Sequence, residues 1–216
     1  MNEKKQKFIE FLLESEVLKF GDFVTKSGRN TPYFINTGLY KNGYQLTKLA
    51  EFYADMVYDT LKDDYTALFG PAYKGISLAC MTSSVLFTKY GINKFFLYNR
   101  KEAKDHGEGG TLIGYTPKKD DNIIIIEDVI TAGTAVREVL PLIQDKGASV
   151  LDMFVSVNRR EVGTGTKSAI AQLKDDYGIN VHWLVDVYDI YEYLKSSDDY
   201  KNNCDKMKEY MEKYCI

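Results

Sequence analysis

The residues best equipped for chemistry are Glu127 and Asp128, followed three positions later by the small-residue run Thr131-Ala132-Gly133-Thr134. Paired carboxylates accept hydrogen bonds from ribose hydroxyls or hold a hydrated metal. A short turn opening a helix presents free backbone N–H groups and a positive helix end to an anion. Acids beside an anion cradle suit a sugar phosphate. A plain buried strand ending in a helix cap explains Asp128 or Thr131 alone, but not two adjacent acids after four isoleucines, where unpaired carboxylates are costly. A second stretch, Asn99 to Gly114, carries Arg100, Lys101, Lys104 and His106 among three acids and three glycines, with no apolar anchor before an apolar strand resumes at Leu112. Connections of this kind are lids or binding loops in compact domains. Its formal charge is near zero, so its use lies in individual donors converging on a multiply charged leaving group. A third, Gly70-Pro71-Ala72-Tyr73-Lys74-Gly75, follows an apolar segment; Lys74 there either neutralises a diphosphate or stands in water as a helix-start lysine, and Gly70 and Gly75 are expected to let the backbone approach a ligand closely.

These stretches need a scaffold. Ile123 to Ile126 show no alternation, which predicts a central strand of a parallel sheet covered on both sides by helices. The helix after Gly133 follows from Ala135, Val136, Val139, Leu140 and Ile143 on one stripe, although Pro141 inside it should cost about 3 kcal/mol or bend it. Further helices are expected over 3–19, with Phe8, Phe11, Leu12 and Ser15 on one face, and over 45–62, 76–90, 166–177 and 188–194. Strands are expected over 66–69, 94–98, 149–157 and 180–185, with two more around a Ser27-Gly28-Arg29 turn. Loops after parallel strands, at their carboxyl ends, are where α/β sheets place ligands. Arg29 and Arg160 read as solvated cations, and His182, beside Trp183, as a satisfied structural histidine. Residues 196–216 read as a charged helical tail striped by Met207, Tyr210, Met211 and Tyr214.

The 216 residues are 44% hydrophobic and 27% charged, which suits one α/β domain over 1–216 with a full core. A net charge of −3 gives no electrostatic footprint for nucleic acid. Glu10 and Glu14 interrupt the first apolar residues, which excludes a signal peptide, and no apolar run approaches the ~18 residues of a membrane span. Cys80, Cys204 and Cys215 lack metal-ligand spacing and read as reduced thiols, which points to the cytoplasm.

The apolar run, acid pair and Thr-Ala-Gly-Thr resemble the phosphoribosyl-diphosphate-binding motif of the type I phosphoribosyltransferases. The loop Arg100-Lys101-x-x-Lys104-x-His106-Gly107-x-x-Gly110 resembles the catalytic loop of the orotate phosphoribosyltransferases, and Lys26-Ser27-Gly28-Arg29-x-x-Pro32-Tyr33-Phe34 resembles their N-terminal hood. The resemblance covers roughly residues 3–194. It implies a central, mostly parallel sheet flanked by helices, with a small hood from about 20–40 and parts after 158. It implies transfer of a phosphoribosyl group from 5-phosphoribosyl 1-diphosphate to orotate with Mg2+, in pyrimidine (UMP) synthesis, by a homodimer whose 100–110 loop acts in trans. Lys104, His106, Asp128 and Arg100 are then catalytic. Lys74, Arg100, Lys101, Lys104 and His106 bind the diphosphate. Glu127, Asp128, Thr131, Ala132, Gly133 and Thr134 bind the ribose 5-phosphate, while Lys26, Phe34, Thr131 and Arg159 bind orotate. No protein group ligates the magnesium directly, and neither nucleic acid nor membrane is a partner. Three positions depart from the pattern: Glu127 where aspartate is common, Ile35 in place of a second aromatic residue, and Asn158 in place of aspartate. The alternatives are transfer to another nucleobase and a non-catalytic regulator that senses phosphoribosyl diphosphate. A fused decarboxylase does not fit the length.

Overall fold

The computed structural model describes residues 1–24, 28–102, 111–130, 133–162 and 167–216. Its frame is a six-stranded sheet built from β3 (Ala67–Gly70), β4 (Phe95–Asn99), β5 (Leu112–Gly114), β6 (Ile123–Ile130), β7 (Asp152–Asn158) and β8 (Asn180–Asp186). The spatial order is β5-β4-β3-β6-β7-β8, parallel throughout except for the edge strand β5. The chain moves outward from β3 to β4, then returns to the other side of β3 for β6. The crevice at the carboxyl ends of β3 and β6 is therefore the switch point of the sheet, the place where such folds bind ligands.

Both faces of the sheet are covered, as the unbroken isoleucines predict. Ile124 and Ile126 pack with α1 (Glu3–Glu14), α2 (Gly43–Leu61), α3 (Lys74–Tyr90), α6 (Val187–Ser196) and α7 (Cys204–Tyr214). Ile123 and Ile125 pack with α4 (Thr134–Gln144) and α5 (Ala169–Tyr177). This alternation slips near the carboxylates: Val129 joins the first layer and Ile130 the second. Glu127 and Asp128 thus lie inside the strand, which continues to Ile130 instead of ending at the acids.

A separate antiparallel hairpin, β1 (Leu18–Val24) and β2 (Asn30–Ile35), stands over the sheet's end. The first helix is shorter than its apolar pattern predicts. It stops at Glu14 because Glu16 takes a left-handed conformation (φ 57°), and Val17 and Leu18 turn into the hairpin strand. Pro141 does sit within α4; the stripe Val136, Val139, Leu140 and Ile143 is fully buried, and that packing offsets the lost hydrogen bond. His182 accepts its structural role, its Nε2 lying 2.7 Å from Asp152 Oδ1 and its ring stacked on Phe154.

The glycines of the turn after β3 are needed by the fold itself. A Cβ on Gly70 would stand 2.1 Å from the Gly75 carbonyl oxygen, and one on Gly75 2.7 Å from Pro71 Cδ. The two glycines let the start of α3 press onto β3, which is what aims Lys74. Gly70→Ala is expected to lose about 3 kcal/mol, a drop in Tm of about 6–12 °C for a chain of this size. Gly43→Ala, where nothing lies within 4 Å, should leave Tm nearly unchanged. Equal melting of the two variants by differential scanning calorimetry would contradict the clash.

Candidate active site

Three separate elements meet at the end of β6. Lys74 is the first residue of α3, and its Nζ lies 2.9 Å from Asp128 Oδ2. Thr37, in a single 3-10 turn after β2, donates its hydroxyl to the same carboxylate oxygen and accepts from Lys74 Nζ at 2.9 Å. Asp128 Oδ1 accepts the Val129 backbone N–H at 2.7 Å. The backbone carbonyls beneath are held by side chains, Tyr53 OH donating to Glu127 O and Ser156 Oγ to Asp128 O, both at 2.6 Å. Burial raises the Tyr53 phenol far above its ordinary range, so it remains a neutral donor.

The carboxylates differ electrostatically. Burial pushes Asp128 up, but the hydrogen bonds from Thr37 and Lys74 outweigh it and hold Asp128 below the usual aspartate range. Glu127 is pushed well above the glutamate range, first by burial and then by the Asp128 charge beside it. A carboxyl raised on folding contributes stability that is fully present below its ordinary value of 4.5 and is lost as pH rises through the folded value. Glu127→Gln, neutral at every pH, should therefore melt a few degrees above the parent near pH 9 and about level with it near pH 4.5, by the ordinary conversion of roughly 2–4 °C per kcal/mol. A gain that is the same at both pH values would show that Glu127 does not titrate in this way.

Two cavities flank the pair. One, of about 500 Å³, is bounded by Thr37, Tyr40, Lys41, Lys74, Ser77 and Asp128. The other, of about 170 Å³, lies between Glu127 and the start of α4, where Gly133 (φ 71°) and Thr134 turn the chain into the helix. Free N–H groups at that helix end suit a phosphate. Arg100 and Lys101 line a further recess beside α4, together with Glu138, and the Lys101 ammonium stands 5.1 Å from the Tyr73 ring.

The phosphoribosyl transferase domain family matches residues 37–189 of this chain. The orotate phosphoribosyltransferase of Clostridium acetobutylicum is 48% identical over 99% of this chain and 97% of its own length. That of Actinobacillus pleuropneumoniae is 44% identical over the whole of both chains. The chain belongs to the orotate phosphoribosyltransferase family. The crystal structure of the Francisella tularensis orotate phosphoribosyltransferase superposes with a TM-score of 0.87 at 37% identity, covering 97% of this chain and all of that one.

Of the residues assigned through the family motifs, the structure brings Lys74, Glu127, Asp128, Gly133 and Thr134 to the carboxyl end of the central strands, with Arg100 and Lys101 at the near end of the loop. Lys26, Lys104, His106, Thr131 and Ala132 lie outside the described residues. Phe34 is half-exposed on the hairpin and stacks on Phe23 at 5.4 Å. Arg159, just past β7, is largely buried, with Nη2 2.6 Å from Glu161 Oε1 and its guanidinium 4.9 Å from the Tyr33 ring. Adjacent strand residues face opposite ways, so Tyr33 carries Arg159 on the inner face of the hairpin while Phe34 looks outward.

Two readings of solvated cations are corrected. Arg29 reaches the Val162 carbonyl at 3.4 Å and lies 3.9 Å from Glu161, with its guanidinium over Tyr214. Arg160 binds Asp186 through Nε at 2.9 Å and stands over Trp183. The reading also missed Thr37, Tyr53, Glu161 and Tyr210. The Asn36-Thr37-Gly38 turn after a strand is a usable signal for Thr37, whereas Tyr53 falls on the apolar stripe of the 45–62 helix with Leu49 and Val57 and carries no signal of its own.

Proposed function

We infer that this chain transfers the phosphoribosyl group of 5-phosphoribosyl 1-diphosphate to orotate, yielding orotidine 5′-monophosphate and diphosphate, a step of pyrimidine nucleotide synthesis. The observation that carries the reading is the meeting of Lys74, Asp128 and Glu127 beside the Gly133–Thr134 helix start at the switch point of the sheet. The helix start takes the 5′-phosphate, and the two acids take the ribose hydroxyls. Substrate binding separates Lys74 from Asp128: the ammonium turns to the diphosphate and the carboxylate to a hydroxyl. Displacement at the anomeric carbon develops positive charge on the ribose and negative charge on the departing diphosphate. The chain's task is to hold both partners in line and to neutralise the leaving group. Lys74, Arg100, Lys101, Lys104 and His106 supply that neutralisation, with Lys104 and His106 brought in by the loop. Lys26, Phe34, Thr131 and Arg159 receive orotate.

Magnesium fits this site as a companion of the substrate. The described residues hold no group of three or more acidic, histidine or cysteine ligands, and both Asp128 oxygens already accept hydrogen bonds. Glu127 and Asp128 would face the metal through ribose hydroxyls and water, and the ion would neutralise part of the diphosphate charge. The functional unit is a homodimer in which the 100–110 loop closes over the neighbour's site. No helix among the described residues is long and apolar enough to cross a membrane, and the three cysteines are unpaired, which supports a cytoplasmic setting.

The test is the fall in orotate absorbance on adding 5-phosphoribosyl 1-diphosphate and magnesium, run beside uracil, adenine and hypoxanthine. Consumption of orotate alone is expected. Consumption of a purine instead would overturn the base assignment, and binding of phosphoribosyl diphosphate without any turnover would favour a sensing role.

A further inference from the structure

The segment that follows β7 is bound to the C-terminus of the chain. The Val162 N–H donates to the Tyr214 carbonyl at 2.9 Å, and the Ile216 N–H donates to the Arg160 carbonyl at 3.0 Å. Met207, Tyr210 and Met211 of α7 are buried, and the Tyr210 ring meets Tyr33 of the hairpin edge-on at 5.7 Å. The contacts converge on one guanidinium. Tyr210 OH donates to Glu161 Oε1 at 2.6 Å, the same oxygen that receives Arg159 Nη2, and Arg159 Nη2 also reaches Tyr210 OH at 3.5 Å. Arg159 Nε is buried and meets no acceptor among the described residues. A guanidinium with one nitrogen committed and another buried without a partner is set up for an acceptor from outside the protein.

We propose that Tyr210, with Glu161, is a positioning residue for the base site: the C-terminal helix fixes the rotamer of Arg159 so that its unpaired edge meets the carboxylate of orotate. The proposal rests on the assignment of Arg159 to orotate made above. Arg159 is a long side chain that would otherwise sample many rotamers, and recognition of a planar carboxylate needs its fork fixed in plane. Two anchors from different parts of the chain accomplish this. Glu161 neutralises the buried charge, and the Tyr210 hydroxyl fixes Glu161. The tail thus controls which base is accepted while standing apart from Lys74 and Asp128, whose contacts involve neither α7 nor residues 214–216.

The discriminating variant is Tyr210→Phe, which keeps the ring and removes the hydroxyl. Its KM for orotate should rise about five- to tenfold, with kcat and the KM for 5-phosphoribosyl 1-diphosphate within about twofold of the parent, as expected for one lost hydrogen bond to a charged network. Glu161→Gln should move the same constant in the same direction and further. In an Arg159→Lys background the Tyr210→Phe change should add almost nothing, because the group it positions is gone. A merely structural role would lower Tm and move both KM values together, and would add its full effect in the Arg159→Lys background; either result overturns the proposal. If Tyr210→Phe does not fold, Glu161→Gln with the same background test decides. A parent enzyme that consumes no orotate would overturn the functional reading and this inference with it. An active parent with unchanged variants would overturn only the inference.

Discussion

Replacing Lys104 by alanine is expected to lower turnover by about a hundredfold or more while changing the KM for either substrate only a few-fold. Its charge is wanted most as the diphosphate departs, and groups that act only in the transition state register in kcat. Weakened binding with unchanged turnover would place Lys104 in ground-state recognition. The same variant tests whether the loop acts in trans. Mixing Lys104→Ala chains, which spoil the loop, with Asp128→Asn chains, which spoil the pocket, gives hybrid dimers after subunit exchange. In trans, one site of each hybrid joins an intact loop to an intact pocket. Random exchange makes half of the dimers hybrid, so about a quarter of the wild-type sites should return. Activity that stays at the average of the two weak parents, with exchange confirmed, would assign the loop to its own subunit.

Arg159→Lys is expected to raise the KM for orotate by roughly ten- to a hundredfold, the range for losing a bidentate charge-assisted pair worth about 1.5–3 kcal/mol. An ammonium retains the charge but cannot present two donors in plane. The KM for 5-phosphoribosyl 1-diphosphate should stay within about twofold, since the acids and Lys74 are untouched. Equal rises in both constants would mean that Arg159 serves the shared architecture and not the base. The variant also leaves Glu161 beside a shorter cation in a buried setting, so Tm should be recorded alongside.

The hairpin and the C-terminal helix bring residues far apart in sequence into one network, and this is why pattern reading misjudged several of them. Arg29 and Arg160 look like solvated cations because their partners lie far along the chain: Val162 is 133 positions from Arg29, and Asp186 is 26 from Arg160. Nor does the sequence show that Gly70 and Gly75 come into close contact with each other. The first helix looked longer than it is, since the pull of β1 on Val17 and Leu18 is a tertiary effect.

Local chemistry was enough for the parts whose cause is local. Four isoleucines without alternation mark a strand covered on both sides, and the small residues followed by a helical stripe mark the turn into α4. The loop and hood motifs carried the family and hence the substrates. The unequal protonation of Glu127 and Asp128 could not be read in this way, because it depends on which carboxylate folding brings against Thr37 and Lys74 and which it leaves desolvated beside a charge. Nor could the sequence show that Tyr210, 51 residues beyond Arg159, closes over the same guanidinium. Periodicity and motif spacing report short-range geometry, whereas charge pairing and desolvation are fixed only once distant segments share a low-dielectric space.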